Sequence, residues 1–204
     1  MYLGLVDVGA GNIGSLKSAL KKIGIKYQIC KEAEDFENIN KIILPGVGNF
    51  NDFINKIKSK NLDKLIEEKH KKDIPILGIC LGFQVLFSNS SESGFTEGFN
   101  FIDGKIINFK EKLKTLRTPH VGWNNCKFEK KSTLFENVDN NSDFYFTHYF
   151  FLNDCNKDYI ISKTDYGFQF ISGVEKNNLY GVQFHPEKSQ LSGIKVLKNF
   201  YERC

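Results

Sequence analysis

The sequence lacks any apolar run long enough to cross a bilayer as a helix, so no membrane association is expected. It lacks a secretory leader as well: Met1-Tyr2-Leu3-Gly4-Leu5-Val6 runs straight into Asp7, with neither a basic start nor a cleavage site, and a cytoplasmic location is expected. Cysteine is sparse. The five cysteines are odd in number, widely spread and without a close CxxC pair, which favours reduced thiols over a disulfide framework or a zinc site. Dense charge runs are absent too. Lys and Arg total 28 against 24 acidic residues, and pairs such as Lys21-Lys22 and Lys71-Lys72 read as solvated helix faces, so no nucleic-acid partner is expected. There is no internal repeat, low-complexity tract or linker. No Gly-Lys-Ser/Thr follows the glycine turns, which excludes a Walker-type phosphate site. No metal or cofactor is called for.

What remains is an ordinary globular composition, 41% hydrophobic and 25% charged over 204 residues, enough for one domain spanning 1–204 with a substantial core. Residues 2–6 read as a buried strand, followed by a glycine turn at Gly9-Ala10-Gly11-Asn12. Ile13, Leu16, Leu20 and Ile23 then form a helical stripe. Strands are expected at 27–30, 41–44 and 74–79. A helix is expected over 52–71, broken near 59–61, and another over 81–87. This alternation predicts an α/β fold with a mainly parallel sheet flanked by helices. From Gly104 the texture changes to successive strands (105–109, 144–148, 159–163, 169–175, 179–184), expected to extend the sheet in antiparallel fashion before a closing helix over 190–201.

Three segments carry chemistry. Gly78-Ile79-Cys80-Leu81-Gly82 sits where a predicted strand meets a predicted helix, the form of a nucleophile elbow with glycines relieving a tight turn. Taken by itself, a buried structural cysteine explains it as well. A thiol nucleophile needs a base, and the chain has four histidines: His70, His120, His148 and His185. His70 lies in a Lys/Glu-rich helix and reads as a surface residue. His185 follows a predicted strand and precedes Pro186 and Glu187, so a carboxylate lies two positions on, where it can orient the imidazole. The third segment, Leu44-Pro45-Gly46-Val47-Gly48, ends another strand. It is either a plain turn or a place where backbone amides approach a developing oxyanion.

Gly-Ile-Cys-Leu-Gly-Phe-Gln, Gly-Val-Gln-Phe-His-Pro-Glu and Pro-Gly-Val-Gly together resemble the class I (triad) glutamine amidotransferases over essentially the whole chain. Within that class, Asp7-Val8-Gly9-Ala10-Gly11-Asn12, Pro119-His120-Val121-Gly122-Trp123-Asn124 and His185-Pro186-Glu187-Lys188-Ser189 are similar to the HisH type, the glutaminase subunit of imidazole glycerol phosphate synthase. The resemblance implies a triad of Cys80, His185 and Glu187, with the oxyanion held by amides at Gly46, Val47, Gly48 and Leu81. It implies glutamine contacts at Gln84, Glu97 and the Tyr149-Phe150 segment. It also implies a heterodimer with a HisF-type β/α-barrel cyclase, which receives the ammonia in histidine biosynthesis, and it places Asn12, Trp123 and Lys188 towards that partner. Read without the family, those three are a turn residue, a core aromatic and a surface lysine.

Two places depart from the family pattern. Tyr149 and Phe150 stand where Ser and Tyr usually follow the histidine, and Val8 replaces a more common aromatic. The departures leave room for a paralogous subunit feeding ammonia to sugar amidation. A stand-alone cysteine amidohydrolase and a non-catalytic binding module are the remaining readings.

Overall fold

Short apolar strands alternate with amphipathic helices through the first half of the structure, a computed structural model that describes residues 2–9 and 13–204. Strand β1 (Leu3–Val6) is followed by α1 (Gly14–Lys22), β2 (Tyr27–Cys30), β3 (Lys41–Gly46), α2 (Phe50–Ser59), α3 (Leu62–Lys71), β4 (Ile76–Cys80) and a single helical turn, α4 (Leu81–Gln84). The second half contains β5 (Phe87–Ser90), β6 (Thr96–Glu97), β7 (Ile102–Asn108), the short α5 (Phe109–Lys112), β8 (His120–Phe128), β9 (Ser142–His148), β10 (Phe150–Leu152), β11 (Ile160–Asp165), β12 (Gln169–Lys176), β13 (Leu179–Val182) and α6 (Gln190–Arg203). The break expected within 52–71 falls at Lys60-Asn61, where Asn61, with a φ of 56°, separates α2 from α3. The helix expected over 81–87 is shorter: it stops at Gln84, and Phe87 already belongs to β5.

The strands form one mixed sheet in the order β2-β1-β3-β4-β13-β12-β10-β7-β5-β6, with β11, β8 and β9 branching from β12. Its first half is parallel throughout, β2 to β1 to β3 to β4. One expectation is corrected here. Strand β13 was expected among the antiparallel additions, yet it lies parallel to β4, with Gly181 opposite Gly78 and Val182 opposite Ile79. The late strand is thereby inserted into the middle of the sheet, and its carboxyl end emerges beside that of β4. The antiparallel pairs start one strand further out, at β12.

Alternation along the central strands sends side chains into two cores. Ile43, Leu77 and Ile79 pack on one face with Leu16 and Leu20 of α1 and Val196 and Phe200 of α6. Ile42, Leu44 and Ile76 pack on the other with Phe53 and Ile57 of α2 and Ile66 of α3. Each such fully buried side chain contributes roughly 1.5–3 kcal/mol, and with helices on both faces the parallel strands read as continuous apolar runs. Among the described residues no helix is long and apolar enough to cross a membrane.

Candidate active site

Cys80 is the last residue of β4 and has φ 54° and ψ −108°, a strained conformation for a residue with a side chain. Its neighbours show why the turn closes so tightly. A Cβ on Gly78 would lie 2.5 Å from the Gly82 carbonyl oxygen, and a Cβ on Gly82 would lie 1.7 Å from the Leu44 carbonyl oxygen. Glycine at both positions lets α4 fold back against β3 and β4 and hold the thiol at the strand end. Because α4 is one turn long, its dipole is weak. The groups around the sulfur therefore come from elsewhere: the Gln183 amide donates to Cys80 Sγ at 3.8 Å, and the thiol donates to the Thr147 carbonyl at 3.9 Å.

The β4–β13 pairing carries His185 to the same edge. Its position is fixed by the antiparallel bridge to Tyr145, whose carbonyl accepts the His185 N–H at 2.8 Å. Ser189 Oγ completes the clamp, donating to the His185 carbonyl at 2.6 Å and accepting the Tyr145 N–H at 3.0 Å. Two positions separate His185 from Glu187, and an extended segment would leave them side by side. Instead Pro186–Lys188 form a 3-10 turn, and the turn curls the carboxylate back onto the ring. Glu187 Oε1 lies 2.8 Å from His185 Nδ1, with both side chains nearly inaccessible. His185 Nε2 is buried with no partner inside ordinary hydrogen-bond limits among the described residues, so its interaction with the Cys80 sulfur is looser and mainly electrostatic. Burial opposes charge on this imidazole, but its interactions with the Cys80 sulfur, reinforced by Glu187, override it and push His185 up to about 10. The arrangement favours a protonated His185 held between Cys80 and the Glu187 carboxylate.

A cavity of about 330 Å³ opens on Cys80, a size suited to a small polar metabolite. Val47, Gly48, Leu81, Gln84, Tyr149 and Phe150, all singled out from sequence, line it. Gly46 pairs with Cys80 across β3 and β4, which brings the Pro45–Gly48 turn to the thiol, and Gly48 adopts a φ of 109° that other residues rarely take. Glu97 is misplaced in the sequence reading: it pairs with Asn89 in the β5–β6 hairpin, is exposed, and does not line the cavity. The carboxylate that does is Glu92, at the turn of that hairpin. It accepts the Phe50 N–H at 2.8 Å, and burial raises its pKa. Nothing in the local pattern separated Glu92 from Glu97; the tertiary fold of the hairpin does. Thr147, His148 and the buried Gln183 also went unassigned. A larger hollow of about 720 Å³ around Phe128 and Phe135 contains none of these groups.

Of the residues tied to a partner, Asn12 lies outside the described residues. Trp123 is 48% exposed on β8 and Val121 beside it 56%, so Trp123 is no core aromatic. Lys188 places its ammonium 5.3 Å above the Tyr145 ring, and that ring meets Trp123 edge-on at 6.1 Å. His70 is half-buried and packs tilted against Phe101, ring centroids 4.1 Å apart, away from the site. No group of metal-ligating side chains occurs among the described residues.

His120 and His148 are buried, with Nδ1 of the first 3.0 Å from Nε2 of the second. Burial pushes them down to about 4 and about 3. The unfolded chain therefore binds protons near pH 6.5 that the folded one refuses, and stability falls as the solution is acidified below that point. The expected loss is on the order of 2 kcal/mol per histidine by about pH 5. Urea melts from neutral to mildly acidic pH check this, and a flat profile in that window contradicts it.

Comparison with known families places the chain in a glutamine-hydrolysing class. Residues 4–204 match the family model described as glutamine amidotransferase class-I, and the chain belongs to that family. Its relatives include imidazole glycerol phosphate synthase subunit HisH 1 of Campylobacter jejuni (strain RM1221), 39% identical over 97% of this chain and 98% of that protein. The HisH subunit of Methanocaldococcus jannaschii is 40% identical over 98% of each chain. Among solved structures, the PurLQS structure from Thermotoga maritima superposes with a TM-score of 0.76 over 98% of this chain and 97% of that one, at 18% identity.

Proposed function

We propose that this chain is the glutaminase subunit of an imidazole glycerol phosphate synthase, with Cys80 as nucleophile, His185 as acid and base, and Glu187 as the group that orients His185. The observation that carries the reading is the convergence of a strained Cys80, a His185–Glu187 pair and a cavity of amino-acid size at one sheet edge. The Cys80 sulfur attacks the carboxamide carbon of glutamine, and the carbonyl electrons move onto oxygen. Backbone amides in the Gly46-Val47-Gly48 turn and at Leu81 receive that oxyanion. When the tetrahedral intermediate collapses, the C–N bond breaks and the imidazolium of His185 protonates the departing ammonia. The resulting thioester is then hydrolysed by water to glutamate and free Cys80, with His185 accepting the water's proton.

Glutamine needs partners for its ammonium and carboxylate as well. Glu92 and Gln84 supply anionic and amide acceptors on the cavity wall, while the Tyr149-Phe150 segment offers backbone groups. Replacement of the usual Ser-Tyr pair removes one hydroxyl and leaves the main chain in place. The exposed patch of Val121, Trp123, Tyr145 and Lys188 suits a docking subunit that draws ammonia away from bulk water, and a cyclase barrel is the partner named by the HisH reading. Relatives bearing the HisH name match over nearly their full length, which favours this acceptor over a sugar.

The expected result is that the gene restores growth of a histidine auxotroph lacking its own glutaminase subunit, supplied with the matching cyclase. The purified chain alone is expected to hydrolyse glutamine poorly, with at least about a hundredfold gain when the cyclase and its nucleotide are added, the scale of a catalytic donor moving into place. Full activity of the lone chain, or failure to complement despite soluble expression, argues for a stand-alone amidase or a different acceptor.

A further inference from the structure

The geometry points to His148, with His120 behind it, as a positioning residue that anchors the Phe150 carbonyl and through it the Gln84 side chain of the glutamine-binding cavity. The inference rests on the glutaminase reading and extends it to residues outside the triad.

The argument starts from two backbone carbonyls, which can only accept. The Asp165 carbonyl accepts from Asn124 Nδ2 at 2.8 Å, and Asn124 Oδ1 accepts the Asn125 N–H, so the orientation of that side-chain amide is fixed from both sides. Asn124 Nδ2 also lies 3.2 Å from His120 Nε2, which must then be the unprotonated nitrogen. A neutral His120 therefore carries its proton on Nδ1 and donates to His148 Nε2 at 3.0 Å. That makes His148 Nε2 the acceptor and leaves its proton on Nδ1, which donates to the Phe150 carbonyl at 2.7 Å. Both ends of the chain demand the same tautomers, and with both rings neutral no other arrangement satisfies every contact. The burial of the two rings keeps them neutral.

The carbonyl that His148 holds also reaches the cavity. The Phe150 carbonyl also accepts from Gln84 Nε2 at 2.9 Å, and the second hydrogen of that nitrogen goes to Gln183 Oε1 at 3.0 Å. With both N–H groups committed, Gln84 has only its Oε1 to offer a ligand. A ligand donor is what it can take, such as an ammonium group or a carboxamide N–H. Gln183 is oriented by the same contact, which turns its Nε2 towards Cys80 Sγ at 3.8 Å. Without the donor on His148, the Phe150 carbonyl loses the partner that pins it from behind, and the Gln84 amide bonded to it shifts from its place. The Gln84 Oε1 acceptor would then be displaced in the cavity, and glutamine would bind less well while the elbow and triad stayed in place.

The test compares two reagents on Cys80, followed by mass spectrometry of the intact purified chain. The diazo ketone 6-diazo-5-oxo-L-norleucine alkylates a thiol only after its amino-acid end is seated as glutamine would be, whereas iodoacetamide needs only an accessible thiolate. For His148→Phe the diazo ketone rate constant is expected to fall about tenfold, the loss of one buried hydrogen bond, while the iodoacetamide rate changes by less than about threefold. His148→Asn, which returns an N–H near the Nδ1 position, is expected to recover most of the diazo ketone rate. His120→Phe lies outside the cavity and is expected to act in the same direction, so it carries the test if His148→Phe does not fold. Equal losses with both reagents, or no loss of selectivity in any folded variant, overturn the inference. A wild-type chain that prefers iodoacetamide and is not protected by glutamine strikes instead at the glutaminase reading.

Discussion

Replacing Cys80 with alanine is expected to reduce glutamine hydrolysis by the cyclase complex at least about ten-thousandfold, the scale seen when a nucleophile is removed from a triad. The reason is covalent: without sulfur there is no thioester, and His185 has no proton to exchange with a nucleophile. The fold is expected to survive. Alanine meets the same φ of 54° that cysteine already tolerates, and the sulfur's own contacts at 3.8 and 3.9 Å are weak. The thermal midpoint is therefore expected to stay within about 3 °C of wild type, because weak contacts contribute a few tenths of a kcal/mol. Docking to the cyclase is expected to persist, since Cys80 is 5% exposed and cannot contribute much surface. Glutamate release and a binding titration measure the two halves separately, and retained glutaminase activity in a folded variant refutes the role given to Cys80.

Gly82→Ala is expected to have the largest effect on stability. A Cβ at this position stands 1.7 Å from the Leu44 carbonyl oxygen and 2.7 Å from its carbon, both main-chain atoms of β3. No side-chain rotation relieves such a clash, so either α4 or β3 must move by more than an ångström. Overpacking of this kind costs about 3 kcal/mol or more, which appears as a drop in thermal midpoint of at least about 8 °C. Whatever folded protein remains is expected to lose about a hundredfold in glutaminase rate, because the shift displaces Cys80 from His185 and from the amides of the Gly46-Val47-Gly48 turn. A wild-type melting curve together with wild-type turnover contradicts the picture of a turn closed by glycine.

Much of the site was legible because its parts are short and local. An elbow needs glycines at fixed offsets from the nucleophile, and a carboxylate orienting a histidine can sit two residues away, so Cys80, His185 and Glu187 stood out as residue types in a pattern. The same is true of the parallel half of the fold, where alternating apolar strands and helical stripes left little freedom. Failures came where the chain turns back on itself. Glu97 and Glu92 lie five positions apart in one hairpin, and only the turn decides which carboxylate reaches the cavity. His120 and His148 looked like unremarkable parts of longer motifs. Their pairing depends on β8 and β9 lying antiparallel with His120 opposite His148.

The amino-acid sequence by itself determined the chemistry available at Cys80, the family to which the chain belongs and the alternation of strand and helix that frames the elbow. Tertiary structure alone decided that β13 enters the sheet parallel to β4 rather than extending it at an edge. That choice brings residues about a hundred positions apart to a single sheet end. It is invisible locally, because a buried strand flanked on both sides has the same apolar pattern whichever neighbour it pairs with. The same pairing stacks Gly181 beside Gly78 and delivers His185 to the thiol, so two residues far apart in sequence meet through the register of two strands.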